Sequence, residues 1–457
     1  MYETGLFLFH RDFRLTDNTG LLDAKNQCRR LFCCFIFTPE QISSQNDFRS
    51  KNAIQFMLES LEDLAQSVKA RGGKLYFFYG NTTTIIGKLL TAMKINAVFF
   101  NRDFSPYAVK RDTEVEKLCQ SKNIPCILGP NDYYLYEPGI IRTTGNGYFK
   151  KFTPFYDHVV SKKVELPKTT GLPLFSVFSG TLENQTTIGE IFSKTIGTKN
   201  QEIAVTGGRK AGLKQLLQAL SAQSQYAKKR DHFIYRTSLL SAYLKFGCVS
   251  IREVYHAFKH KYGVRCEFIR QMIWRDFFAH ILFGYPKALT DKYGPFAWKN
   301  SSRYIDAWKT GHTGFPIVDA SMRELNHTGY MHNRGRMMVA QFLIKTLLVD
   351  WKIGEQYFAQ KLTDYDPASN NGNWASIFGR GVYSSPYFRV MNPWIQSEKF
   401  DKDCAYIKKW IPELANVPAR DIHHWDTVHS QYKTIDYPAP ILDYGEQKEK
   451  FIQLYQM

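Results

Sequence analysis

No cysteine in this chain stands in a Cys-x-x-Cys pair. The eight thiols, Cys28, Cys33, Cys34, Cys119, Cys126, Cys248, Cys266 and Cys404, are scattered along it, which predicts a reducing compartment, cytoplasm or nucleus. No run approaches ~18 consecutive apolar residues, so no transmembrane helix is expected. The chain enters a strand-like run directly from its start, without the pattern of a signal peptide, and it has no Lys/Arg-rich amphipathic terminus and no lipidation motif. There is no internal repeat and no low-complexity tail. Acidic residues are in deficit: 42 Asp and Glu against 60 Lys and Arg give a formal charge of +18. An anionic partner follows, with nucleic acid ahead of an acidic membrane. What remains is 457 residues, 44% apolar and 15% aromatic, the composition of a folded, enzyme-sized protein with room for two or three domains.

Short apolar runs at Leu6–Phe9, Leu31–Phe37, Lys74–Tyr79, Ala97–Phe100 and Cys126–Leu128 alternate with helical patterns such as Asn52–Ala70 and Tyr107–Lys122. Buried strands alternating with helices predict an α/β N-terminal domain with a doubly wound parallel sheet over residues 1–130. His10-Arg11-Asp12-Phe13-Arg14-Leu15-Thr16-Asp17-Asn18 stands where a Gly-rich dinucleotide fingerprint would follow the first strand, which argues against a nicotinamide site. Residues 131–205 are rich in Pro, Gly, Thr and Ser with weak periodicity and read as a linker wrapped on the surface. Over 206–457 helix signals dominate: Leu213–Leu220, Thr237–Phe246, Ile251–His260, Glu267–Leu282, Phe315–Asn326, Met331–Asp350 and Glu355–Leu362. An all-α C-terminal domain is expected there.

Polar residues with site-like spacing concentrate between Gly329 and Trp374. Val339, Phe342, Leu343, Thr346 and Leu347 mark the buried stripe of a helix, with Asn333 and Arg336 one turn apart on its flank. A buried guanidinium needs an anion or carboxylate, and Asp364 and Asp366 lie on a connection within reach. A core ion pair with helix capping accounts for this pattern as readily as a site does. Tyr226, Lys228, Lys229 and Arg230, followed by Thr237-Ser238-Leu239-Leu240-Ser241, suit a pyrophosphate at a helix start, and equally an ordinary N-cap beside a solvated basic face. Gln271, Trp274 and Arg275 place an amide, an indole and a guanidinium within about two helical turns, a set able to grip a planar base; such aromatics are more often core. Trp298, Trp351 and Trp374 read alone as core indoles. Asp364-x-Asp366 also resembles a metal-binding pair of a sugar-nucleotide transferase, although no His or further acid stands near and a proline follows.

Together these motifs resemble the photolyase/cryptochrome family of flavoproteins. The likeness rests on Phe9–Asn18, on Thr313-Gly314-Phe315-Pro316-Ile317-Val318-Asp319-Ala320, on Met331-His332-Asn333-Arg334-Gly335-Arg336-Met337, and on Pro386-Tyr387-Phe388-Arg389-Val390-Met391-Asn392-Pro393 through Glu398-Lys399-Phe400-Asp401. It runs over essentially the whole chain and is closest to the class I cyclobutane pyrimidine dimer photolyases. It implies a helical domain holding FAD, active as FADH⁻, and damaged DNA as the partner of a monomer. By motif, Tyr226, Thr237, Ser238, Leu240, Ser241 and Arg275 would meet the phosphates and ribityl chain, and Asn333, Arg336, Asp364 and Asp366 the flavin and adenine. Asn370 would face flavin N5. Trp374, Trp351 and Trp298 would relay electrons inward to give FADH⁻, which on excitation donates an electron to a flipped-out dimer. Gln271, Trp274, Asn333 and Met337 would lie at the lesion, and Arg230 and Arg334 near DNA phosphates.

Three positions depart from the pattern. Gln271 replaces a lesion-contacting Glu, as in enzymes for the (6-4) photoproduct; Ser376 and Tyr330 replace expected tryptophans. Asn333 stands where the (6-4) enzymes resemble one another in having His. Tyr107-Ala108 stands where a folate-type antenna pocket would have Asn-Glu, and no antenna chromophore is assigned. The alternatives are a (6-4) photolyase and a cryptochrome-type photoreceptor without repair. The short stretch after the last signature argues against the photoreceptor.

Overall fold

The computed structural model describes residues 1–168, 171, 174–294, 296–382 and 390–456. The chain forms two compact units, residues 1–200, 205–224 and 238–286 in the first, and 201–204, 225–237 and 287–457 in the second.

The first unit is built on a five-stranded, wholly parallel sheet: β1 Tyr2–Phe9, β2 Cys28–Phe37, β3 Leu75–Tyr79, β4 Ala97–Asn101 and β5 Cys126–Gly129. The order β3-β2-β1-β4-β5 reverses direction at β1, the doubly wound arrangement expected. Each strand is a short Phe-, Leu- and Cys-rich run because both faces are covered, and Phe7, Phe9, Cys33, Val98 and Phe99 are fully buried. The helices Thr19–Gln27 and Lys51–Lys69 start where Asn18 and Ser50 accept backbone N–H groups of Leu21 and Ala53, and Pro106–Ser121 starts at Ser105 with a proline in its first turn.

The segment after β1 is a buried ionic network. One terminal nitrogen of Arg14 donates to both carboxylate oxygens of Asp132 at 2.7 and 2.8 Å, and Arg252 reaches Asp17 at 2.8 Å and Asp132 at 3.0 Å. Asn101 donates to Asp12 at 2.6 Å and to Asn18 at 2.7 Å. The stretch 10–18 thereby ties the sheet to the helix Ile251–Tyr262, whose charged Arg252 is desolvated and fully engaged.

Residues 131–205 are not a surface wrap throughout. Tyr133, Tyr134 and Tyr136 are buried, and helices form at Phe152–Val159 and Ile188–Thr195, the latter closed by a Thr187/Glu190 capping box. Each helix is two turns long, too short for a convincing apolar period in a Pro- and Thr-rich context.

The second unit is helical about a core containing Trp308, Phe342, Leu343, Trp351, Phe358 and Trp374. Thr313–Ala320 is a turn into a helix. Asp319 accepts from Thr313 N and Oγ1 and from Gly314 N, Pro316 opens the helix Pro316–Thr328, and Gly329 ends it in the left-handed region at φ 66°. The continuous helix expected over Met331–Asp350 is instead interrupted. It runs from Asn333 to Gln341, widens into a π-helical turn at Phe342–Thr346, and stops at Leu348, φ 55°, before a new helix Trp351–Lys361. The predicted stripe is buried, but hydrophobic continuity hid the break. The helix expected from Thr237 begins only at Ser241 and spans five residues, because Leu239 at φ 53° takes the backbone out of helical geometry. Pro386–Arg389 of the last signature lies outside the described residues; after it, Asn392 caps the helix Pro393–Phe400.

Candidate functional site

The Asn333–Gln341 helix, the connection after Lys361 and the Pro367–Phe378 helix line an open cavity of about 110 Å³ in the second unit. Asn333, Arg336, Asp364, Asp366, Asn370 and Trp374 are all on its wall. Arg336 is locked: Nε donates to Met331 O at 2.9 Å, and the two terminal nitrogens donate to Asp364 at 3.2 and 3.0 Å. Burial works against its charge, and the adjacent Asp364 carboxylate more than offsets this, holding the guanidinium above its ordinary pKa. Asp366 caps the next helix by accepting from Ser369 N at 3.0 Å. Asn370 donates from Nδ2 to Glu355 O at 3.0 Å, which fixes its amide orientation, since a carbonyl only accepts. Tyr330 bonds Thr237 Oγ1 through its hydroxyl at 2.9 Å and lies beneath the Arg336 guanidinium. Asp364 is paired to Arg336, Asp366 serves as a helix cap, and among the described residues no three His, Cys, Asp or Glu side chains form a metal-holding group.

Trp374 packs at 2 % exposure against Gly354, where an added Cβ would come within 2.2 Å of the indole. Trp351, three residues before Gly354, is fully buried and stacks with Tyr293 at 5.9 Å. Trp298 is half-buried against Phe296 and Phe378, at 4.3 and 5.1 Å. All three belong to one apolar core. A fourth indole, Trp308, stands edge-on to Trp374 at 6.3 Å, and no motif in the sequence singles it out.

In the first unit, the helix Glu267–Gly284 carries Arg270, Gln271 and Trp274 on one half-buried face. Trp274 stacks on Phe152 at 3.6 Å with the rings 6° apart, and the Arg270 guanidinium covers Phe152 and Tyr156. Arg275 turns away from that face: it donates to Tyr133 O and lies over the Tyr134 ring at 4.6 Å. Next to it, burial pushes the Asp276 carboxyl up to about 7 against the opposing pull of Arg275. An acid whose pKa is raised on folding stabilises the fold fully below its unfolded value of about 4, and that contribution is lost as pH rises through about 7. Asp276→Asn keeps an acceptor for Tyr136 N and is expected to raise the melting temperature by about 5 °C at pH 8 and by clearly less at pH 5. Equal shifts at both pH values would contradict this assignment.

Residues 5–172 match the family model described as DNA photolyase, and residues 268–457 match the FAD binding domain of DNA photolyase. A deoxyribodipyrimidine photo-lyase of Escherichia coli (strain K12) is 32% identical over 476 residues, covering 99% of this chain and 98% of the relative. The chain belongs to the DNA photolyase family. Among solved structures, an archaeal photolyase from Sulfolobus tokodaii, described with two FAD molecules, is 36% identical with a TM-score of 0.87 over 99% of each chain. A bacterial class III photolyase from Agrobacterium tumefaciens is 29% identical with a TM-score of 0.91, over 100% of this chain and 98% of the other.

In this photolyase-family chain one cavity gathers several of the expected cofactor residues. Asn333, Arg336, Asp364, Asp366 and Asn370 share one cavity, with Met337 also on its wall. Tyr226, Arg230 and Thr237 belong to the second unit, whereas Ser238, Leu240, Ser241, Gln271, Trp274 and Arg275 belong to the first. Arg334 is paired with Asp231 at 2.7 Å and lies over Phe400. Ser376 is exposed. Among the described residues no helix is long and apolar enough to cross a membrane.

Proposed function

We propose that this protein uses blue light to split cyclobutane pyrimidine dimers in DNA, with reduced FAD in the second-unit cavity. The observation that carries this reading is the cavity wall, where a guanidinium clamped by Asp364 stands with Asp366, Asn333 and Asn370 around an opening with an apolar side at Phe358, Leu362 and Trp374. A flavin ring presents an imide N–H, two carbonyl oxygens and a flat apolar face, so carboxylate acceptors, guanidinium and amide donors and an indole are the donor set it requires. Bound there in its reduced form, FAD would lend one electron to the dimer after absorbing light and take it back once the ring has split, so that the reaction is redox-neutral overall. Arg336 offsets the negative charge of such a ring, Asp364 holds Arg336 in place, and the fixed Asn370 amide presents one polarity to it.

Trp374 on the cavity wall, with Trp351 and Trp298 in the same core, supports an inward electron relay. The relatives' name supports a pyrimidine dimer as substrate, and Asn333 supports the cyclobutane over the (6-4) lesion. Gln271 is the one observation favouring the (6-4) reading. Gln271, Trp274, Asn333 and Met337 are proposed to meet the lesion, with Arg230, Arg334 and the +18 charge supplying sequence-independent phosphate attraction. Eight free thiols support a reducing compartment. The Sulfolobus relative's second FAD is described as a light-harvesting cofactor; with Tyr107-Ala108 in place of Asn-Glu, no antenna is assigned to this chain.

The test is repair of oligonucleotides carrying either lesion by anaerobically reduced protein, in blue light and in the dark. Light-dependent loss of the cyclobutane dimer alone is the expected result. Repair of the (6-4) lesion alone would mean that Gln271 outweighs Asn333, and repair of neither by flavin-loaded protein would leave photoreception as the better reading.

A further inference from the structure

Glu267 opens the helix Glu267–Gly284, and Gln271 lies one turn on, with Gln271 Nε2 donating to Glu267 Oε1 at 2.8 Å. Glu267, Arg270, Gln271 and Trp274 fall at i, i+3, i+4 and i+7, a single stripe beside the Trp274–Phe152 stack. A side-chain amide can present either its oxygen or its nitrogen, and at most positions nothing in its surroundings decides which. Here the neighbour decides. A carboxylate has acceptors only, so it takes one N–H of Gln271 and fixes the amide orientation, setting which end carries the accepting Oε1 and which the remaining N–H.

We infer that Glu267 is a positioning residue that fixes Gln271 as a hydrogen-bond acceptor, so that this face selects a pyrimidine ring carrying an N3–H, thymine or uracil, over cytosine or 5-methylcytosine. The inference rests on the proposed lesion-binding role of the Gln271 face and adds to it the identity of the base. Thymine N3–H donates to the fixed oxygen; unprotonated cytosine N3 is itself an acceptor and meets that oxygen lone pair to lone pair, leaving both unsatisfied. The carboxylate one turn back also polarises the amide and strengthens its oxygen as an acceptor.

The experiment measures dark binding of the flavin-loaded full chain to one duplex carrying a thymine–thymine cyclobutane dimer, to the same duplex with a freshly prepared 5-methylcytosine dimer, and to the undamaged duplex. The two lesions differ at N3 and the 4-substituent and share every phosphate, so changes in general electrostatic attraction cancel in their ratio. The wild-type protein is expected to prefer the thymine dimer by about tenfold. Glu267→Ala, which frees the amide to rotate, is expected to reduce the ratio to about threefold or less. Glu267→Lys, which offers a donor and so draws Oε1 inward and turns NH₂ outward, is expected to bring it to one or below. Both substitutions lie on a half-exposed first helical turn, and thermal melts establish that the variants fold. If Glu267 served only as a favourable acid at a helix start, both variants would lose stability with the ratio unchanged, and that result overturns the inference while leaving the lesion site intact. Absence of any preference for either dimer over undamaged duplex in the wild type would overturn the lesion-binding reading and this inference with it.

Discussion

Arg336→Ala is expected to purify without bound flavin, with affinity for added FAD weakened by about 100-fold or more. The guanidinium makes three hydrogen bonds, one to Met331 O and two to Asp364, so its removal leaves a carboxylate on the cavity wall without its counter-charge, facing a ring that is anionic when reduced. Arg336→Lys should retain part of the affinity, because a point charge restores the electrostatics but not the two-pronged grip on Asp364. The check is flavin absorbance per protein after gel filtration, with a titration of FAD into the apoprotein. Full flavin content in Arg336→Ala would mean that the ion pair is purely structural, the reading that spacing alone left open.

Trp351→Phe should separate two light-dependent activities. Flavin photoreduction is expected to fall by about 100-fold, while dimer repair by chemically pre-reduced protein stays near the wild-type level, since in the proposed relay only the former passes an electron through this indole. Trp351 is fully buried, and the smaller ring should also cost about 1–3 kcal/mol of stability. A melting curve of the variant therefore accompanies the kinetics. Equal loss in both assays would place Trp351 in the scaffold and remove it from the relay.

The sheet was legible because parallel strands covered on both faces are nearly continuous apolar runs, and all five lie where those runs are. The helix break after Thr346 was not, because Leu347, Leu348 and Val349 remain apolar through it: hydrophobicity reports burial, not backbone direction. The packed Tyr133–Tyr136 segment was hidden for the related reason that isolated aromatics in a Pro- and Gly-rich stretch have no period. The general need of a buried guanidinium for a carboxylate pointed from Arg336 to Asp364 or Asp366, and Asp364, 28 residues on, is the one that forks onto it. That Asn370 and Trp374 join them on one wall depends on how two helices pack, and only the family resemblance anticipated it. Glu267 stands in plain i, i+4 relation to Gln271 in the sequence, but an acid at a helix start is so ordinary that its spacing alone does not mark it as a partner. Trp308 carried no local signal beyond its place just before the Thr313–Ala320 turn.

The most direct measurement of the central claim is chromatographic quantitation of intact thymines restored in a dimer-containing oligonucleotide by anaerobically reduced protein, after blue-light exposure and after an equal time in the dark. Restoration in proportion to absorbed light, absent in the dark and abolished in Arg336→Ala under flavin concentrations that leave its cavity empty, is the predicted result. Restoration at the same rate in the dark, or undiminished restoration by a variant shown to hold no flavin, would contradict the account.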